Sequence, residues 1–165
     1  MARKRRLLRA VGRVANATHA RIYRRSDGRR GGMVKGIPVL LLTTTGRRSG
    51  QARTVPICFC RDGDGIVVAG TNGGMKHAPS WSLNLRAEPL ARIQLGGTTF
   101  DVQATEAIGA EYDRLWSSYV AQHPAIGPYA TKTTRHIALW QLEPVPAHAA
   151  AAAAAVAART AAATG

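Results

Sequence analysis

Acidic residues are scarce in this chain: nine Asp and Glu stand against 23 Lys and Arg in 165 residues, for a net charge of +14. Aromatic residues are sparse too, at 5%, so the core must come mainly from aliphatic side chains. Two cysteines, Cys58 and Cys60, exclude a disulfide framework. Two apart in one strand, they share a face but lie too far apart for an unstrained bridge. They read as reduced, small core residues of a cytoplasmic protein, and no metal site is expected. Outside the alanine-rich end, no apolar run reaches the roughly 18 residues that a membrane-spanning helix needs. The arginine-rich start lacks the apolar stretch of a secretory signal. Neither a Walker lysine pattern nor a G-x-G-x-x-G fingerprint occurs, so the ordinary nucleotide folds have no support.

What is present is unevenly placed. Residues 1–35 hold twelve of the bases against Asp27 alone. The cationic character therefore belongs mostly to a terminal arm, and no specific nucleic-acid partner is expected. Within the arm, Leu7, Val11, Val14, Thr18 and Ile22 fall at helical spacing, with Leu8 beside them and arginines elsewhere around the turn. Two readings stand: an amphipathic helix lying on an anionic membrane surface, peripheral on the inner face of the cell membrane, or a helix packed on its own domain with a solvated charged face. Residues 146–165 are almost all alanine and are expected to form a frayed or disordered tail.

Residues 36–145 are expected to form the compact body. Segments 37–45, 53–60 and 65–71 are rich in branched residues and read as strands, the last two joined by the turn chemistry of RDGDG. Segments 91–95 and 98–104 form another hairpin across Gly96-Gly97, and 136–144 alternates apolar and polar. A short helix begins near Pro79-Ser80. A longer one is expected from about Glu106 to Gln122, with Ile108, Tyr112, Leu115, Trp116 and Tyr119 on one stripe. About six strands joined mostly by hairpins imply a mainly β fold, an antiparallel barrel or sandwich with packed helices. Trp81, Trp116 and Trp140 read as packing residues. Lone histidines such as His123 and His136 read as surface or packed residues rather than proton donors.

The turn TTTGRRSGQAR does not fit a simple hairpin. One glycine suffices for the reversal, yet Arg47, Arg48 and Arg53 crowd it together with Ser49. Guanidinium groups and glycine-loop amides both suit an anion's oxygens. On spacing alone the turn reads either as a solvated tip or as a polyanion clamp.

This turn, followed by a proline-containing strand, RDGDG, TNGG, PSWSLNLRAEP and a closing strand ending LEP, resembles the deazaflavin-dependent nitroreductase and quinone reductase family of actinobacteria. The resemblance runs from about residue 19 to 144 and includes YRRSDG at 23–28. It implies a split antiparallel β-barrel of the FMN-binding type that binds the reduced deazaflavin coenzyme F-420; the alternatives are an FMN-binding split barrel and a non-catalytic cofactor- or nucleic-acid-binding module. It implies a hydride transfer to a small-molecule electron acceptor: a quinone, an activated alkene or a nitro compound. By position, Arg47, Arg48 and Ser49 would hold the coenzyme's phosphate and oligoglutamate tail, with Arg53 nearby. Thr54, Val55, Pro56, Ile57 and Cys58 would flank the ring, as would Ala69, Gly70, Thr71 and Asn72, and then Ser80, Trp81, Ser82, Leu83 and Asn84. Thr71 and Tyr129 would orient the acceptor or relay a proton. Two departures mark this chain. His77 replaces a usual lysine, with Lys76 one place earlier, and the family's tyrosine wall is reduced to Tyr129, with Cys58, His123 and Ile126 at the matching positions. The resemblance leaves the oligomeric state open.

Overall fold

The computed structural model describes residues 2–63 and 65–161, and only the backbone of residues 2–10, 13, 130 and 159–161. Helix α1 spans Ala2–Arg25. Strand β1 (Met33–Val34) leads into β2 (Ile37–Thr45), β3 (Ala52–Asp62) and β4 (Gly65–Ala69). After the short helix α2 (Ser80–Ala87) come β5 (Leu90–Leu95) and β6 (Thr98–Glu106). Helix α3 (Gly109–Gln122), the single-turn α4 (Gly127–Thr131), β7 (Leu139–Pro144) and α5 (Ala149–Ala161) complete the chain. The strand order is β1-β2-β3-β4-β7-β6-β5, every pair antiparallel, and β2 also pairs with β5. Six strands thus close a barrel and β1 lies outside the ring, a mainly β fold as the strand spacing implied.

Alternation sorts the side chains. Leu40 and Leu42 of β2, Phe59 of β3, Val68 of β4, Ile93 of β5, Phe100 of β6 and Leu142 of β7 fill the barrel. The opposite faces of β3, β4 and β7 carry Cys60, Val67 and Leu139 under Leu115 and Tyr119 of α3. The expected stripe of α3 loses its first member: Ile108 is exposed, because β6 stays extended through Glu106 in register with Trp140. The closing strand begins at Leu139 rather than His136. Strand β1 carried no periodic signal, since two residues are too few. It folds back through Lys35 and Gly36, both at positive φ, a two-residue reversal of the kind hairpins favour.

The two ends differ from expectation in instructive ways. The alanine tail, expected to be disordered, is helical over Ala149–Ala161 and packs on the barrel, with Ala152, Ala155 and Val156 buried in the main core. Small side chains let the helix approach β6 closely, and that contact supplies what propensity alone cannot. Helix α1 docks through Ala20 and Tyr23, buried against Val39, Leu41 and Cys58. The stripe predicted for it is a different face: Val11, Val14 and Ile22 are 59%, 66% and 45% exposed. Leu7 and Leu8 lie outside the residues whose side chains are described.

Tyr23 is the anchor of α1. Its ring is fully buried, and its hydroxyl accepts a 2.9 Å bond from Gly96 N in the β5–β6 turn. Tyr23→Phe keeps the ring but leaves that amide without its acceptor. It should lower stability by about 1–2 kcal/mol, read as a lower denaturant midpoint with an unchanged slope.

Candidate functional site

Three segments meet around α2. The first is the β2–β3 turn. Gly46 N donates to Gln51 O at 2.8 Å, while Ser49 N and Gly50 N both return to Gly46 O at 2.9 and 2.7 Å. A Cβ on Gly46 would sit 2.8 Å from Ser49 Oγ and 3.1 Å from Gln51 O, so a side chain there would push on the turn. Gly50 takes φ +65° to complete the reversal. The turn leaves Arg47, Arg48, Ser49 and Arg53 exposed.

Asn84 joins this turn to α2. It is 4% exposed; its Oδ1 accepts from Arg47 N and Arg47 Nη1 at 3.2 and 3.3 Å. Its Nδ2 donates to the buried hydroxyl of Thr44 at 3.0 Å. Arg53 Nη2 donates to Gln51 Oε1 at 2.9 Å. Among the described residues, no carboxylate pairs with Arg47, Arg48 or Arg53; the ion pairs lie elsewhere, at Arg86–Glu106, Arg92–Asp101 and Arg114 with Asp62 and Glu111. In those pairs the guanidinium holds each carboxyl below its usual range. The turn's three guanidiniums have no ion-pair partner among the described residues.

The second segment is the end of β4. Ala69 is buried under α3, and Gly70 N donates to Ala138 O at 2.8 Å. A Cβ on Gly70 would meet Ala138 O at 3.3 Å, Pro79 Cδ at 3.6 Å and Ser82 Oγ at 3.6 Å. This position is where β4, α2 and the approach to β7 touch. Thr71 and Asn72 follow, half-buried, and Asn72 Nδ2 donates to His77 O at 2.9 Å. The third segment is α2 itself. Ser80 is exposed and Leu83 half-buried, but Trp81 and Ser82 point inward, and Trp140 Nε1 donates to Ser82 Oγ at 2.9 Å. The side chains of Trp81, Ser82 and Asn84 are thus occupied within the protein, leaving this helix's outward contacts to Ser80, Leu83 and backbone.

Strand β3 carries the remaining predicted residues, Thr54 to Cys58, all half-buried. Val55 and Ile57 pack toward the barrel interior, Cys58 toward α1. Thr54 Oγ1 lies 2.8 Å from Thr43 Oγ1 and accepts from Arg24 Nη2 of α1 at 3.0 Å. Burial pushes the Cys58 thiol up, and raises Cys60 to about 12, so neither is a ready nucleophile. Tyr129 is half-buried against the α3-side cluster, and Lys132 Nζ sits 5.4 Å from its ring centroid. His123 and Ile126, two positions of the reduced tyrosine wall, are buried; His123 Nε2 donates to Phe59 O at 2.9 Å. His123 is therefore a packed histidine. Three further residues touch this region: Arg24 and Thr44, which lie inside the YRRSDG and TTTGRRSGQAR motifs but were assigned no role, and Arg135, which lies in no motif.

The described residues thus form a closed split barrel that places an exposed arginine turn and a glycine loop on either side of α2. Comparison with known proteins supplies the assignment: the chain belongs to the F420H(2)-dependent quinone reductase family, whose sequence model matches residues 15–144. An F420H(2)-dependent quinone reductase of Mycobacterium tuberculosis H37Rv is 38% identical over 113 residues, 67% of this chain and 76% of that protein. A solved F420-H2 dependent reductase shares 34% identity, with a TM-score of 0.59 over 64% of this chain and 94% of its own. A second solved structure, described as a domain-swapped dimer, shares 31% identity with a TM-score of 0.61 over 77% of this chain and 95% of its own. The chain is thus an oxidoreductase, and coenzyme F-420 is its cofactor.

Asn84 gives a direct test of how the turn is held. Asn84→Ala would remove the acceptor of the half-buried Arg47 N bond and the donor to the buried Thr44 hydroxyl. It should cost about 1–3 kcal/mol, and the Arg47 amide should exchange faster with solvent than in the unaltered protein.

Proposed function

We propose that this oxidoreductase passes a hydride from reduced coenzyme F-420 to a quinone, with the arginine turn clamping the coenzyme's anionic tail. The observation that carries the reading is the unbalanced charge of Arg47, Arg48 and Arg53, held in place by Asn84 and the Gly46 turn. When bound, the reduced deazaflavin supplies the hydride. The chain's own residues bind, orient and exclude water. Arg47, Arg48 and Ser49 hold phosphate and carboxylate oxygens, and Arg53 adds charge beside them. The backbone of Thr54–Cys58, the loop Ala69–Asn72 and the start of α2 border the ring. The Thr71 hydroxyl and the Tyr129 phenol orient the acceptor or pass the proton that neutralises its developing negative charge. In this reading the chain divides into a basic arm at 1–35, a cofactor-binding barrel at 36–145 and an appended alanine-rich segment at 146–165. The test is oxidation of the reduced coenzyme across quinones, enones and nitroarenes, with quinones turned over fastest. Replacing Arg47 and Arg48 by Ala should weaken coenzyme binding by roughly 1.5–3 kcal/mol per charged hydrogen bond lost. Unchanged affinity in a folded double variant would remove the clamp.

A second feature supports a location for the reaction. The face of α1 that carries Val11, Val14 and Ile22 is exposed, while the opposite face is docked through Ala20 and Tyr23. Arg21 and Arg25, also exposed, belong to the same helix. No helix among the described residues is long and apolar enough to cross a membrane. The arm instead lies along an anionic leaflet on the inner face of the cell membrane, each base close to the surface adding about 1 kcal/mol. A lipid-soluble quinone would then share a surface with the enzyme. The full-length protein should co-sediment with anionic vesicles at low salt and be released at high salt. Val11→Glu with Val14→Glu should lower the bound fraction. Protein that stays in the supernatant at low salt contradicts this location.

A further inference from the structure

Arg135 belongs to none of the motifs that mark the cofactor site, yet it is wired into one of the site's three segments. Its Nη2 donates to Gly70 O and Thr71 O, both at 2.8 Å, its Nε to Met75 O at 2.9 Å, and its Nη1 to His136 O at 3.2 Å. All three nitrogens are thus spent on backbone carbonyls, and three of the four oxygens belong to the loop that follows β4. Among the described residues, no carboxylate pairs with this guanidinium. Arg135 is half-buried, and desolvation pulls it below the usual arginine value.

Besides Arg135, the loop is tied down by Gly70 N donating to Ala138 O at 2.8 Å and Asn72 Nδ2 donating to His77 O at 2.9 Å. Thr71 is helical (φ −64°, ψ −38°), whereas Asn72, Gly73 and Gly74 follow at φ +47°, +62° and +76°. Two consecutive glycines lose much conformational freedom when ordered, and only two backbone bonds lie within the turn: Gly74 N to Thr71 O at 2.9 Å and Met75 N to Asn72 O at 3.2 Å. Gly74 also lies against the α4 side, where an added Cβ would stand 2.9 Å from Lys132 Cβ and 3.3 Å from Tyr129 O. Carbonyls turned toward one point repel unless a cation occupies it, and the guanidinium is that cation. In a trans peptide the N–H points opposite to the C=O. Binding the Gly70 and Thr71 carbonyls therefore turns the Thr71 and Asn72 amides away from Arg135. Only a planar fork with donors on all three nitrogens reaches these acceptors together; an ammonium at the end of a flexible chain does not.

We infer that Arg135 is a positioning residue: it fixes the Gly70–Met75 loop, and with it Thr71, in the shape that receives the deazaflavin ring. This rests on the reading that the loop borders the ring. Two measurements test it in the full chain with Arg135→Gln and Arg135→Lys. The first is hydrogen exchange without coenzyme: the Gly74 and Met75 amides should exchange roughly tenfold faster or more in Arg135→Gln, with strands β2, β4 and β6 unchanged. Arg135→Lys should restore little of the protection. The second is coenzyme affinity by fluorescence titration, which should fall on the order of tenfold in Arg135→Gln at an unchanged unfolding temperature. Added guanidinium ion should recover part of that loss in Arg135→Ala. Unchanged exchange at Gly74 and Met75 overturns the inference. So does faster exchange with unchanged affinity, which would leave Arg135 a structural residue only. If Arg135→Gln does not fold, Arg135→Lys decides by the same two readings. Failure of the unaltered protein to bind coenzyme would instead overturn the proposed function, while the exchange comparison would still report on the loop.

Discussion

Strand β2 is hydrogen-bonded along both edges, and the placement of the site follows from that double pairing. Along one edge it runs in register with β3 from Val39–Cys58 to Thr45–Ala52; along the other, Leu41, Leu42 and Thr43 face Gln94, Ile93 and Arg92 of β5. A strand so held cannot slip by one residue without sending Leu40 and Leu42 out of the barrel and Leu41 into it. The β2–β3 turn is therefore delivered at a fixed height, with its arginines beyond the last ladder pair. Among the described residues, closure pairs the strands of the ring on both sides, and the strand outside it is two residues long.

Helix α2 converts this rigidity into a site. It is only eight residues long, too short to be stable alone, yet it touches both the arginine turn, through Asn84, and the glycine loop, through Ser82 and Pro79 beside Gly70. Trp81 and Leu85 seat it in the barrel core. The buried polar residues Thr44, Ser82 and Asn84 would be costly alone, but each is hydrogen-bonded to a named partner. The helix thus couples two loops that would otherwise be positioned independently.

Much of this was legible in the amino-acid order because short runs of branched apolar residues bounded by turn residues mark strands. The apolar residues of 37–45 and 65–69 and the glycine turns between strands locate most of the ladder. The arginine turn was legible because its composition exceeds what a reversal requires. What escaped the sequence was tertiary. Asn84 stood in a helix motif, but nothing local says that its amide faces Arg47 across the fold. Arg135 sits in an unpatterned stretch, and contacts from a guanidinium to backbone carbonyls leave no mark on the residues that accept them. The alanine-rich end failed for the opposite reason: a low-complexity segment shows no amphipathic period, so the burial of Ala152, Ala155 and Val156 had no signal. Helix α1 misled more subtly. Its most apolar stripe is the exposed one, while the docked face relies on a small residue and one tyrosine.

The scarcity of acid and the chemistry of the site are connected. Of the few carboxylates available, Asp62, Asp101, Glu106 and Glu111 pair with Arg86, Arg92 and Arg114, and among the described residues none pairs with the arginine turn. Exposed pairs of this kind add little stability each, so their placement says more about where negative charge is not wanted than about holding the fold. A carboxylate beside Arg47 or Arg53 would be covalently tethered at high effective concentration, and an incoming anion would have to displace it. Leaving the turn unbalanced costs the empty protein some repulsion among its cations. On the proposed function, an anionic ligand at the turn would relieve that repulsion, so part of its binding free energy would be stored in the folded chain. The geometric counterpart is the rigid anchoring of the turn by Gly46 and Asn84, which keeps the cations together when they would otherwise spread apart.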